Sequence, residues 1–336
     1  MAIKTQRAQR ARSRSIIKRV GTVALCSLAG APISGCGSSG AGTTHDNGRS
    51  GRSVPQRSES ARQPGARHRS RLPSYPQLLG AATGSSPTNF VPAVRWRGQI
   101  AVWVARRSNV ALLSFDQREV GLRLHSGTID AGTRGWRWGP AISGSERRRV
   151  VAAFNGGFKL DTNSGGFESY GRTAAPLTDG LGSIVTYADG NTDIGSWHQG
   201  VPEPGKPVVS VRQNLRLLIA HGEPAPTIGC PTCWGAALGG TAEPARSALG
   251  ITADGRLIWA GGEHLTTTAL TDALLAARVV RAVELDINPE WVAGYLYGHR
   301  GGRGPLAPVP VVAGQPGAPG QFLEPYSRDF FTVVAR

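Results

Sequence analysis

The sequence predicts an α+β domain built from mixed β-sheets with few helices, and three observations lead there. Short apolar, β-branched runs recur along the chain with Gly and Pro between them, which is the signature of strands separated by turns. A single amphipathic run has helical spacing, and it stands between two of those strands, giving one strand-helix-strand unit near residues 256–287. The chain has 336 residues, 40% of them hydrophobic, enough to bury one sizeable core.

The elements follow in order. Residues 1–35 carry Lys4, Arg7, Arg10, Arg12, Arg14, Lys18 and Arg19 without an acid, then an apolar run at 20–31, then Ile33-Ser34-Gly35-Cys36. That order resembles a bacterial lipoprotein signal, which implies cleavage before Cys36 and acylation of its thiol. The apolar run is short for about 30 Å of hydrocarbon, and no later run reaches about 18 apolar residues. Residues 36–72 are Ser, Gly, Arg and Pro with almost no aliphatic side chain, so they cannot offset the entropy of ordering and read as a lipidated, disordered basic tether. A globular domain is expected over 73–336, exported and lipid-anchored to the outer face of the cell membrane through Cys36.

Strands are expected at 99–105 and 110–115, joined at Ser108-Asn109, and at 120–124, 150–154, 183–187, 208–211, 215–220, 257–260 and 283–287. A helix with a Thr cap is expected over 268–278, a Gly/Pro-rich loop over 300–320, and a last strand over 330–334.

The net charge of +16 sits mostly outside this domain. Residues 1–35 contribute +7 and 37–72 a further +5, which leaves +4 on 73–336. A domain so close to neutral is not expected to bind nucleic acid. Of the four cysteines, Cys26 leaves with the signal and Cys36 is acylated, so Cys230 and Cys233 remain as one Cys-Pro-Thr-Cys pair. No second ligand pair stands at zinc spacing, and outside the cytoplasm a short disulfide is favoured over a metal site.

Three constellations could carry chemistry. The buried run at 150–154 ends in Asn155-Gly156-Gly157-Phe158, where glycines permit close backbone approach and free amides to donate to an anion such as phosphate. In Val283-Glu284-Leu285-Asp286-Ile287-Asn288 the period of two puts Glu284, Asp286 and Asn288 on one polar face, where neighbouring carboxylates raise each other's proton affinity. Arg246 precedes a run of small residues, and its planar fork suits two phosphate oxygens.

Together these resemble the phosphodiester glycosidase family, in which Asn-Gly-Gly-Phe after a strand is followed by Arg-Thr-Ala-Ile-Gly and then by a strand, a helix and Asn-Leu-Asp-Gly-Gly-Gly-Ser. Asn155 to Phe158, Arg246 to Gly250 and Glu284 to Asp286 stand in those places. The resemblance implies a hydrolase that cleaves the bond between a sugar's anomeric carbon and a phosphodiester in a cell-surface or exopolysaccharide-type substrate. Asp286 and Glu284 would be catalytic, and Asn155, Gly156, Gly157, Arg246, Asn288 and Trp291 would bind substrate or phosphate. No cofactor is expected, with a divalent cation left as an option. The family's Gly-Gly-Gly-Ser is replaced by Ile287-Asn288-Pro289-Glu290-Trp291, where Pro289 removes a donor and Trp291 offers a face for a sugar ring. That departure leaves a second expectation, a non-catalytic binder of phosphate-containing wall or capsule polymer.

Overall fold

The computed structural model describes residues 72–78, 89–230, 232–235, 241, 243–318 and 320–336. These belong to the compact unit Gly65–Arg336. The signal over 1–35, Cys36 and the tether as far as residue 71 lie outside the described residues.

The chain forms β1 (Val91–Trp96), β2 (Gln99–Arg107), β3 (Val110–Phe115), β4 (Val120–His125), β5 (Val150–Asn155), β6 (Phe167–Ser169) and β7 (Arg172–Ala175). It continues with β8 (Gly182–Tyr187), β9 (Thr192–Ser196), β10 (Val208–Gln213), β11 (Leu217–Ala220), β12 (Glu223–Pro224), β13 (Arg246–Thr252) and β14 (Leu257–Gly262). Then come the helix α1 (Thr267–Ala276), β15 (Val279–Glu284), β16 (Gly294–His299), β17 (Leu306–Pro310) and β18 (Phe330–Ala335). They make an eight-stranded sheet ordered β1-β2-β3-β14-β13-β15-β11-β12 and two five-stranded sheets, β7-β6-β10-β8-β9 and β17-β16-β5-β18-β4.

Every ladder between these strands is antiparallel, which corrects the expectation of mixed sheets. The protein is mostly antiparallel β, with one α-helix among the described residues. The strand-helix-strand unit is present but does not pair its own strands. β14 and β15 each lie antiparallel to β13, so they run parallel to one another with β13 between them. The crossover helix starts where Thr266 accepts a hydrogen bond from the Ala269 amide at 3.0 Å, and it buries Leu270, Ala273 and Leu274 against this part of the sheet.

The strand β13 escaped the alternation rule because it is buried on both faces. All seven residues of β13 are buried: Ala248 faces the helix-side core while Leu249 and Ile251 face the central one. β17 lies within the segment expected to be only a Gly/Pro-rich loop, at the sheet edge where proline is tolerated. The strand expected at 283–287 instead begins at Val279 and ends at Glu284.

The central core is organised around Trp259, which is fully buried and stacks on Phe154 at 5.8 Å, with Phe331 5.7 Å and Phe115 6.3 Å from Phe154. These rings join the eight-stranded sheet to the sheet holding β5 and β18. The indole fits because Gly294 has no side chain: a Cβ there would meet the ring at 2.5–3.2 Å. Gly294→Ala should therefore overpack the core and lower stability by about 1–3 kcal/mol in urea denaturation. An unchanged midpoint would show that the Trp259 ring has room to shift.

Candidate functional site

Strand ends from all three sheets meet at one place. β5 ends at Asn155, β10 at Gln213 and β15 at Glu284, while β13 begins at Arg246 and β18 at Phe330. Beside this junction lies a cleft of about 490 Å³, whose lining includes Phe158, Lys159, Asp286, Asn288 and Trp291.

Asp286 stands two residues beyond the end of β15 and is 4% exposed. Its Oδ1 accepts from the Asn288 amide at 2.9 Å and its Oδ2 pairs with Arg328 Nη2 at 2.9 Å. Burial pushes its carboxyl up to about 6, against the pull of the Arg328 guanidinium. Arg328 is itself buried, with Nε 2.8 Å from Asp130 and Nη2 3.1 Å from the Gly157 carbonyl, and its guanidinium lies 4.3 Å from the centre of the Trp291 ring. Burial raises the Asp130 carboxyl, and the neighbouring Asp329 charge adds to the rise.

A second buried pair supports the first. Arg212 Nε lies 2.8 Å from Asp329, and the same guanidinium donates to the carbonyls of Gln213 and Phe158. This explains the two glycines. A Cβ on Gly157 would meet the Arg212 guanidinium at 2.7–2.9 Å, and one on Gly156 would collide with the Asp329 carboxylate. The backbone of the motif also ties the elements together: Gly156 donates to the Asp329 carbonyl at 3.0 Å and accepts from the Asp286 amide at 3.0 Å.

The residues singled out in the sequence fall into two groups. Asp286, Asn288 and Trp291 line the cleft. Asn155, Gly156, Gly157, Arg246 and Glu284 lie buried beneath it. Asn155 Nδ2 donates to the Ser247 hydroxyl at 2.9 Å, and that hydroxyl lies 3.1 Å from the Asp286 carbonyl, to which it donates. Arg246 pairs with Glu284 at 2.6 Å and donates to the carbonyls of Leu265 and Trp234.

Glu284 and Asp286 therefore do not share one face of a strand. β15 stops at Glu284, the alternation ends with it, and the Glu284 side chain turns into the core. Complete burial pushes its carboxyl up to about 8 even beside Arg246, and its Oε2 has no hydrogen-bond partner. Cys230 and Cys233 form a disulfide, and Cys233 and Thr232 reach the cleft lining. Among the described residues no three His, Cys, Asp or Glu side chains are grouped as a metal cage.

Sequence reasoning missed Arg328, Asp329, Arg212 and Asp130. Nothing in an arginine-rich chain links residues so far apart, and only the fold brings them to Asp286. Lys159 had a legible signal: it directly follows the Asn-Gly-Gly-Phe motif, and beyond residue 72 the chain has only one other lysine, Lys206.

No protein-family model and no curated protein matches the chain. Among solved structures, the zebrafish N-acetylglucosamine-1-phosphodiester alpha-N-acetylglucosaminidase catalytic domain, auto-inhibited by its pro-peptide, is 16% identical over 74% of this chain and 81% of its own, with a TM-score of 0.43. A hypothetical protein from Synechocystis is 13% identical over 70% of this chain and 62% of its own, with a TM-score of 0.38. A Burkholderia pseudomallei K96243 protein described as exported is 12% identical over 67% and 73%, with a TM-score of 0.37. At these TM-scores none of the likenesses assigns a residue or an activity to this chain.

The Asp286 environment has a measurable cost. Burial pushes its carboxyl from the ordinary aspartate value of about 3.9 up to about 6, so its proton is held more tightly in the fold than in the unfolded chain. Stability is undiminished below about pH 4, falls as pH rises through that window, and above about pH 6 carries the whole cost, about 2–3 kcal/mol. In Asp286→Asn this loss should vanish, so the stability difference between variant and wild type should grow by about that amount between pH 4 and 7 in urea denaturation. A difference that stays flat with pH would mean that Asp286 titrates normally.

Proposed function

We propose that the protein hydrolyses the bond between a sugar's anomeric carbon and a phosphodiester in a cell-surface or exopolysaccharide-type polymer. The observation that carries this reading is that one carboxylate, Asp286, opens into the cleft while Glu284 is turned away. Ordinary glycoside hydrolysis employs two carboxyl groups, one of which protonates the departing oxygen. A phosphodiester leaves as a stabilised anion and does not need that proton, so a single base together with a cation is a sufficient set.

The residues divide the work accordingly. Asp286 takes a proton from water as the water attacks the anomeric carbon; the C1–O bond breaks, and its electron pair departs with the phosphate. The products are the free sugar and a phosphomonoester. A carboxyl raised to about 6 is still ionised for the most part at neutral pH and is a stronger base than an ordinary aspartate. Arg328 fixes its orientation, and Asn288 holds the other oxygen through its amide.

Lys159 supplies the cation. It is exposed, its ammonium lies 4.9 Å from the centre of the Trp291 ring, and among the described residues it has no carboxylate partner. It can therefore follow the charge that builds on the leaving phosphate. Trp291 and Phe158 form the apolar wall on which a sugar ring can rest. In the same reading the enzyme is exported and works at the outer face of the cell membrane, tethered by the acylated Cys36.

The experiment is release of free sugar from a panel of sugar 1-phosphodiesters, with and without chelator. Asp286→Asn should lower kcat by about 10²–10⁴-fold while the protein stays folded. The wild-type rate should rise with pH through about 6 as Asp286 ionises. Turnover retained in the variant would remove Asp286 from the chemistry. Binding of phosphate-containing polymer with no turnover of any substrate would favour the non-catalytic binder.

Lys159→Ala should raise KM for the same substrates about tenfold, through loss of a charge-assisted contact to phosphate. Unchanged kinetics would place the phosphate elsewhere.

A further inference from the structure

A second cleft, about 480 Å³ and sharing no lining residue with the first, lies between the strands β4 and β18 of one five-stranded sheet and the strands β8 and β10 of the other. We propose that it binds a sugar unit carrying an oxyanion, with the anion on Arg149 and Arg123 and the ring on Tyr170.

The charge argument comes first. Arg123, Arg149 and Arg336 line the cleft, against one carboxylate, Asp189. Asp189 is occupied within its own turn, accepting from the Asn191 amide at 2.8 Å and from Asn191 Nδ2 at 3.0 Å. Arg336 is occupied too, donating to Val120 O, Asp189 O and Asn191 Oδ1. Arg123 lies 3.3 Å from Glu146, but that carboxylate is buried and also serves His125 and Thr332.

Arg149 is different. Its one side-chain hydrogen bond runs from Nε to the Ala335 carbonyl at 2.7 Å, and no carboxylate among the described residues pairs with it. Burial, and after it the like charges of Arg123 and Arg97, hold its guanidinium below the usual range. A half-buried cation surrounded by like charge is a prepared place for an anion.

The aromatic argument is independent. Tyr170 is 49% exposed, one of two exposed large hydrophobic side chains among the described residues, and it lines this cleft. It occupies the first position of the β6–β7 turn with φ 50, followed by Gly171 with φ 72. A turn of this form favours Asn or Gly at that first position, and a bulky residue there is strained. Here the strained position holds an aromatic ring at the mouth of a basic cleft, where it can stack on a sugar. Trp138 backs the Arg123 guanidinium at 4.0 Å and keeps its fork oriented.

The test is calorimetric titration of the full chain with inorganic phosphate, glucose 1-phosphate and glucuronate, the last two distinguishing phosphate from carboxylate as the anion. Arg149→Gln should weaken glucose 1-phosphate and inorganic phosphate alike by about tenfold, and Arg149→Lys should restore part of that loss. Tyr170→Ala should weaken the sugar-bearing ligands and leave inorganic phosphate unchanged. Neither change should alter sugar release from a small phosphodiester at the Asp286 cleft, so failure here is separable from failure of the hydrolase reading. Absence of binding at millimolar ligand overturns the proposal, as does binding that depends on Lys159 but not on Arg149.

Discussion

The ion pair between Arg328 and Asp286 is the constraint on which the first cleft depends. A carboxylate 4% exposed is held in its charged form at neutral pH only if something offsets part of its lost hydration, and the guanidinium at 2.9 Å does so. Arg328 in turn stays in place because its Nε lies against Asp130 and its Nη2 also donates to the Gly157 carbonyl. That requires the backbone at Gly156 and Gly157 to come close to Asp329 and Arg212, which a side chain at either position would prevent. The glycines of the motif thus serve the charge network beneath the cleft, and through it the carboxylate inside.

The junction also shows why the site is built where three sheets meet. Asn155 closes β5 against Ser247 of β13, Ser247 closes against the Asp286 backbone, and Asn214 after β10 reaches the Glu284 carbonyl at 2.7 Å. Each bond joins elements that are distant in sequence. The buried Arg246–Glu284 pair fixes β13 and β15 at the same end, at a desolvation cost that the Trp259-centred core must offset. The charges that line the cleft and those buried beneath it are interleaved here, and a substitution in either group disturbs the other.

The two clefts flank one strand. Arg328 and Asp329 precede β18 at one end, and Val334 and Arg336 line the second cleft at the other.

What the sequence determined by itself is local. Alternation and turn residues located β2 to β5, β8, β10, β14 and β18 within a few positions, and leucine spacing located α1, although its cap is Thr266 rather than a threonine at 268. The motifs led to Asp286, Asn288 and Trp291, which do line the cleft. What only the tertiary structure decided is direction and partnership. Whether Glu284 faces the cleft or the core depends on where β15 stops, and whether Arg246 meets phosphate or Glu284 depends on strands that pair across 38 residues of sequence. Arg328 reaches Asp286 across 42 residues, and Arg212 reaches Asp329 across 117. Periodicity constrains neighbours two or four residues apart, whereas a charge network is fixed by the closure of sheets, so its members carry no mark in the sequence.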